Sequence, residues 1–196
     1  ESFLDLIKKM DMLNGIDRIR ISSIEPNLLS DEIIKFCSKS EKFMPHFHIP
    51  LQSGSDKILR SMGRRYSALE FSSRIKKIKR LIPDACIGVD VIVGFPTETN
   101  ADFIKTYDLI NQLDISYLHV FTYSERVNTK AINLKPIVPI NERAKRSKRL
   151  HDLSEKKRRS FYNSFIGKEK STLFENTKNG LLFGHTDNYI KIKVDD

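Results

Sequence analysis

The feature that most constrains this chain is the alternation of four short strand-like segments with helical ones. Residues 18–23, 46–51, 86–93 and 117–123 read as strands, the clearest being Cys-Ile-Gly-Val-Asp-Val-Ile-Val at 86–93. Helical periodicity follows at 30–39, at 56–62 with 68–81, at 101–113 and at 141–165, and a further helix precedes them at 2–14. Repeated strand–helix units demand parallel strands with helical crossovers, an α/β architecture that is either a doubly wound sheet or a barrel. In both, function gathers at the C-terminal ends of the strands. The texture changes after Gly167. Short strands near 169–175, 181–185 and 188–194, with turns at Asn179-Gly180 and Asp187-Asn188, mark the start of a small all-β module. The expected division is 1–166 and 167–196.

The period-2 alternation within each strand sorts its side chains into two faces. Val89, Val91 and Val93 share one face of 86–93, which leaves Asp90 on the other. Ile19 and Ile21 oppose Arg20 and Ser22; Phe47, Ile49 and Leu51 oppose His46, His48 and Gln52; Leu118 and Val120 oppose His119, Phe121 and Tyr123. One face is aliphatic, as covering helices require, and the other is polar. A polar interior points to a roomy cavity that holds a ligand rather than to a packed barrel centre.

Charge and cysteine content narrow the function classes. The 196 residues carry 34 Lys plus Arg against 25 Asp plus Glu, a balance of +9, and a pI near 9.5. That excess favours a polyanionic partner such as nucleic acid, with a solvated basic surface as the alternative. From Arg143 to Arg159 there are nine basic residues and two acidic ones, Asp152 and Glu155, so one helix supplies +7 of the +9. No apolar run approaches the ~20 residues that cross a bilayer, so no membrane partner is expected. The first residue is Glu, which fits a piece of a longer protein. Cys37 and Cys86 form neither a disulfide framework nor a metal site, and read as reduced thiols of a cytoplasmic protein.

Three segments carry chemistry. In HIPLQSGSDKILRSMGRRY, residues 48–66, Gln52 and Ser53 offer donors and acceptors at a strand end, and Gly54 would let a ligand approach the backbone. Arg64, twelve residues on, suits bidentate capture of a carboxylate; the alternative is a capped loop with surface arginines. In IGVDVIVGFPTET, residues 87–99, Gly94 and its neighbours place backbone groups at the cavity mouth, and Glu98 and Thr99 are candidate helix caps. In YLHVFTYSER, residues 117–126, the aromatics could stack on a purine or fill core. His46 and His48 share a strand face, but two ligands without a third make a poor metal site, so no metal ligand is assigned.

SSIEP at 22–26, PHFHIPLQSGSDKILRSMGRRY at 45–66, DVIVGFPTET at 90–99 and YLHVFTYSER at 117–126, in that order and spacing, resemble the radical S-adenosylmethionine methylthiotransferases (the MiaB-like family) over about half the chain. SSIEP and LHVFTYS look most like the branch that methylthiolates N6-threonylcarbamoyladenosine beside the tRNA anticodon. The resemblance implies the C-terminal part of a radical SAM partial TIM-type barrel, followed by the start of a TRAM domain. It implies S-adenosylmethionine and two 4Fe–4S clusters in the complete enzyme, a reducing electron donor, and tRNA as partner. Gln52, Ser53, Arg64, Gly94, Phe121 and Tyr123 would then bind the cofactor, and Glu25 and Asp90 would face the substrate. Arg146 and Arg149 on the basic helix, and Lys178, Lys191 and Lys193 in the terminal module, would meet RNA phosphates. The family's C-x-x-x-C-x-x-C is missing from these residues, so the cluster ligands lie outside this chain. No catalytic residue is assigned within it, and alone it is expected to be inactive. Enzymes acting on isopentenyladenosine in tRNA or on a ribosomal protein, and a non-catalytic RNA-binding module, are the alternatives.

Overall fold

The computed structural model describes residues 2–195. Its first sheet has four parallel strands, β1 (Ile19–Ile21), β2 (Phe43–His48), β3 (Cys86–Val93) and β4 (Tyr117–Thr122), in the order β1-β2-β3-β4. The helices are α1 (Phe3–Asp11), α2 (Asp31–Cys37), α3 (Asp56–Ser61), α4 (Ala68–Leu81), α5 (Asn100–Gln112) and α6 (Ile140–Asn163). Strand order follows chain order, and α2, α4, α5 and α6 all send apolar side chains to one face of the sheet. There Ile34, Phe71, Ile75, Phe103, Ile110 and Leu150 pack on Phe47, Val89, Val91 and Val93. A doubly wound sheet would carry helices on both faces and reverse its order. One covered face and sequential order are an arc of a barrel, and decide the alternative left open above.

Boundaries follow local chemistry. Ser30, Ser67 and Thr99 cap α2, α4 and α5 through their side chains, and Thr99 forms a reciprocal box with Asp102. β2 begins at Phe43, before its hydrophobic run, and ends at His48, short of Pro50, which has no N–H to continue a ladder. The chain nevertheless stays on β3: Ile49 N–H donates to the Gly88 carbonyl at 2.9 Å and Leu51 N–H to Asp90 at 3.1 Å. Segment 124–139 holds only a short 3₁₀ turn, Lys130–Asn133.

The C-terminal strands β5 (Thr172–Lys178), β6 (Leu181–Thr186) and β7 (Lys191–Asp195) form an antiparallel meander. Asn179 and Gly180 turn between β5 and β6 with φ of 54° and 71°, the two left-handed residues of a hairpin turn. The meander packs at the N-terminal ends of the parallel strands, where Ile190 joins Cys86, Phe161 and Phe165 in a second small core. Arg18 donates to Ser171 Oγ at 2.8 Å, Arg20 to the Thr186 carbonyl at 3.2 Å, and Asn188 to the Asp84 carbonyl at 3.1 Å. Among the described residues, no helix is long and apolar enough to cross a membrane.

Candidate functional site

The C-terminal ends of all four parallel strands contribute to one rim: Glu25 after β1, Gln52 after β2, Gly94 after β3 and Tyr123 after β4. The short helix α3 ends at Gly63 (φ +73°), and Arg64 N–H returns to the Leu59 carbonyl at 2.9 Å, which folds the arginine back over the rim. Its guanidinium donates to Glu25 Oε1 at 2.8 Å. The Nε of Arg64 is buried without a partner, and so is Gln52 Oε1. Gln52 is held in the left-handed region at φ 64°, with its N–H on the Asp90 carbonyl (2.8 Å) and its carbonyl on the Ile92 N–H (3.0 Å). The left-handed backbone is thus fixed to β3, and the amide oxygen is free to accept a further hydrogen bond.

Two neighbours differ from expectation. The Ser53 side chain is fully buried, lies 3.3 Å from Thr106 Oγ1 and accepts from Ser55 N–H, so it ties the loop to α5 and turns away from the rim. Gly54 is required by the same packing, not by a ligand: a Cβ there would lie 2.6 Å from the Thr106 backbone. Asp102 collects bonds from Thr99, Ser55 and Lys57. Burial opposes its ionisation, but these donors together hold its carboxyl well below the usual range.

The Gly94 loop is clamped by α6. Gly94 has φ +76° and its N–H donates to Glu98 Oε2 at 2.7 Å, while a Cβ would meet Arg143 Cγ at 2.4 Å. Glu98 is not a cap. It is buried and pairs with Arg146 at 2.6 Å, and burial raises its pKa against the opposing bonds from Gly94 and Arg146. Arg143 donates to the carbonyls of Val138 (2.7 Å) and Tyr123 (2.8 Å) and to Glu125 (2.6 Å). The Tyr123 ring meets Phe95 edge-on at 5.5 Å, and its buried hydroxyl has no partner. Phe121 is half exposed on the open face, where a planar ligand can reach it.

The assignment of Arg146 to RNA phosphates is therefore corrected: its guanidinium is spent inside the protein. Arg143 is equally buried, and Lys157 donates to the carbonyls of Asn111 and Leu113. Arg149 is exposed, its guanidinium 5.0 Å from the centres of the Phe103 and Tyr107 rings. The outward cations of α6 are Lys145, Lys148, Arg149, Lys156, Arg158 and Arg159. Lys178, Lys191 and Lys193 are exposed on the C-terminal meander. Asp90 lies on the open face and accepts from His48 at 2.7 Å. The Arg146–Glu98 pair escapes sequence reasoning because 48 residues separate its members. The one hint was Glu98 standing directly before a better cap, Thr99.

The rim fits a zwitterionic, purine-bearing cofactor. An unpartnered arginine nitrogen and amide oxygen can take a carboxylate and an ammonium, and Phe121 and Tyr123 can take a ring. An iron–sulfur cluster does not fit these residues. The two cysteines lie on α2 and at the start of β3, both buried, and burial pushes both thiols up to about 12, away from the thiolate a cluster needs.

Residues 1–110 match the profile of the radical SAM superfamily. The chain is 42% identical over 188 residues to the threonylcarbamoyladenosine tRNA methylthiotransferase MtaB of Aquifex aeolicus, across 96% of this chain and 45% of that protein. It is 36% identical over 197 residues to the enzyme of the same name from Bacillus subtilis (97% and 44%). It is 37% identical over 191 residues to the tRNA-2-methylthio-N(6)-dimethylallyladenosine synthase of Endomicrobium trichonymphae (97% and 46%). The chain thus spans about half the length of the curated relatives it matches. Among solved structures, coproporphyrinogen III oxidase (HemN) of Escherichia coli superposes with a TM-score of 0.61 at 15% identity, over 79% of this chain and 36% of that one, which shows a shared fold.

Proposed function

The chain belongs to the radical SAM superfamily, and from that premise we propose that it is the cofactor-holding and RNA-facing part of a cytoplasmic tRNA methylthiotransferase acting on threonylcarbamoyladenosine. The observation that carries the reading is the rim. Arg64 Nε, on the guanidinium that holds Glu25, and Gln52 Oε1 are buried and unpartnered at the strand ends where ligands of this architecture bind. When bound at this rim and supplied with an electron through a 4Fe–4S cluster, S-adenosylmethionine would provide the radical chemistry of this superfamily. Arg64 binds the cofactor's carboxylate with its free Nε edge while Glu25 holds the rest of the guanidinium in place. Gln52 orients the amino-acid end. Phe121 and Tyr123 flank the purine, with the Gly94 loop behind them. Asp90, on the open face below, addresses the substrate. The outward cations of α6, with Lys178, Lys191 and Lys193 of a TRAM-like module at 167–196, position tRNA by its phosphates. An external reductant delivers the electron.

The nucleotide assignment follows the names of the relatives at 36–42% identity. The relative acting on dimethylallyladenosine, at 37%, keeps that base as the second reading. Mass spectrometry of tRNA nucleosides from cells lacking the parent gene separates the two. Loss of the methylthio group from threonylcarbamoyladenosine, restored by the intact gene, is expected. Loss from the dimethylallyl nucleoside would move the substrate, and no change in either would end the tRNA reading. In the parent protein, Gln52→Ala and Arg64→Ala are expected to weaken S-adenosylmethionine binding. Equilibrium binding unchanged in both would remove the rim assignment.

A further inference from the structure

We propose that His48, Asp90 and His119 form a site for one divalent transition-metal ion on the open face of the sheet, separate from the strand-end rim. Two imidazoles and one carboxylate are a donor set that suits zinc, cobalt and their neighbours. Their ligand atoms lie within 4.8 Å of one another, the one such group of three among the described residues. Strand register builds it. Asp90 and His119 are partners across β3 and β4, and His48 ends β2 opposite Gly88, so all three side chains emerge on the polar face. His48 Nε2 is already 2.7 Å from Asp90 Oδ1, and its ring centre is 5.2 Å from that of His119.

The surroundings leave the donors accessible. His119 is exposed, so its ring can close the small remaining gap, and the other two are only partly buried. His46, by contrast, takes no part: its ring nitrogen sits 3.0 Å from Tyr117 Oη and its ring packs at a tilt on Tyr189, centres 4.4 Å apart. Three protein donors leave coordination positions that open from the polar face of the sheet, where an oxygen of a bound molecule or water can complete the shell.

The test uses the purified 196-residue chain, stripped with chelator, and needs neither S-adenosylmethionine nor RNA, so its outcome is independent of the function proposed above. Cobalt(II) is followed by its visible absorption and zinc(II) by calorimetry. One equivalent is expected to bind, and His48→Ala, Asp90→Asn and His119→Ala are each expected to weaken it by about tenfold or more. His151→Ala and His185→Ala should leave it unchanged, and thermal melting confirms that each variant folds. His119→Ala, at an exposed position, keeps the test valid if a half-buried variant does not fold. Absence of saturable binding, or affinity in the three variants equal to that of the unaltered chain, would overturn the site and leave a hydrogen-bonded His48–Asp90 pair. Binding abolished only by replacing Cys37 or Cys86 would overturn it equally.

Discussion

The two faces of the four-stranded sheet are made by the same strands and have opposite fates. On one, Phe47, Ile49, Val89 and Val91 are no more than 1% exposed beneath four helices. On the other, one residue along each strand, stand Arg20, His48, Asp90, His119 and Phe121, partly or fully open to solvent. Alternation puts a core and a chemical surface back to back with only the backbone between them. The covered face holds the fold, and the open face is left free to bind.

That contrast predicts unequal costs. Phe47→Ala should lose about 3–5 kcal/mol of stability in urea denaturation, whereas His119→Ala should stay within about 0.5 kcal/mol. Similar losses would mean that the open face is itself core. The same comparison runs around α6. Arg146→Ala strands the buried Glu98 carboxylate and should cost about 3 kcal/mol or more, against less than about 1 kcal/mol for exposed Arg149→Ala. Equal melting temperatures for the two would contradict the buried clamp.

A third prediction concerns pH. Burial lowers His46 from 6.5 to about 4, with Arg20 and the neighbouring histidines His48, His119 and His185 adding to the effect. The folded value lies below the unfolded one, so the unfolded chain takes up the proton first. Stability is unaffected above about pH 6.5 and declines as pH falls toward 4, by up to about 3 kcal/mol. His48 has the opposite sign. Its bond to Asp90 raises its pKa, so its contribution is present on the acid side and is lost as pH rises through the folded value. Urea titrations at several pH values should therefore show His46→Gln narrowing its gap to wild type on acidification, and a constant gap would refute the buried, neutral His46. The smallest effect is on RNA. Charge reversal at Lys145 and Arg149 should flatten the salt dependence of tRNA affinity, by about one unit of slope for each phosphate no longer neutralised. Arg146, turned inward, adds nothing to that slope, and an unchanged slope in the Lys145 and Arg149 variants would take α6 out of RNA binding.

Much of the fold is legible in the order of residues. α4 and β3 match their sequence patterns residue for residue, and the faces of all four parallel strands follow from alternation alone. The rim was legible as positions: Gln52, Arg64, Gly94 and Tyr123 follow strand and turn signals. Their partners were not. A basic helix with few acids reads as a solvated RNA-binding face, yet three of its nine cations turn inward because Glu98 and the carbonyls of Val138, Tyr123, Asn111 and Leu113 lie beneath it. His48 lacked a third ligand in sequence because its companions lie 42 and 71 residues away.

The sequence by itself determined what its nearest neighbours decide: periodicity, caps, turns, the parallel α/β plan and the excess of positive charge. Only the tertiary structure decided which charges are spent, which polar atoms are left free, and where the C-terminal meander docks. The physical reason is range. A helix stripe or a strand face is set by residues a few positions apart, whereas the register between β2, β3 and β4 and the seating of α6 are set by packing across the whole sheet. The chemistry of the open face depends on that register.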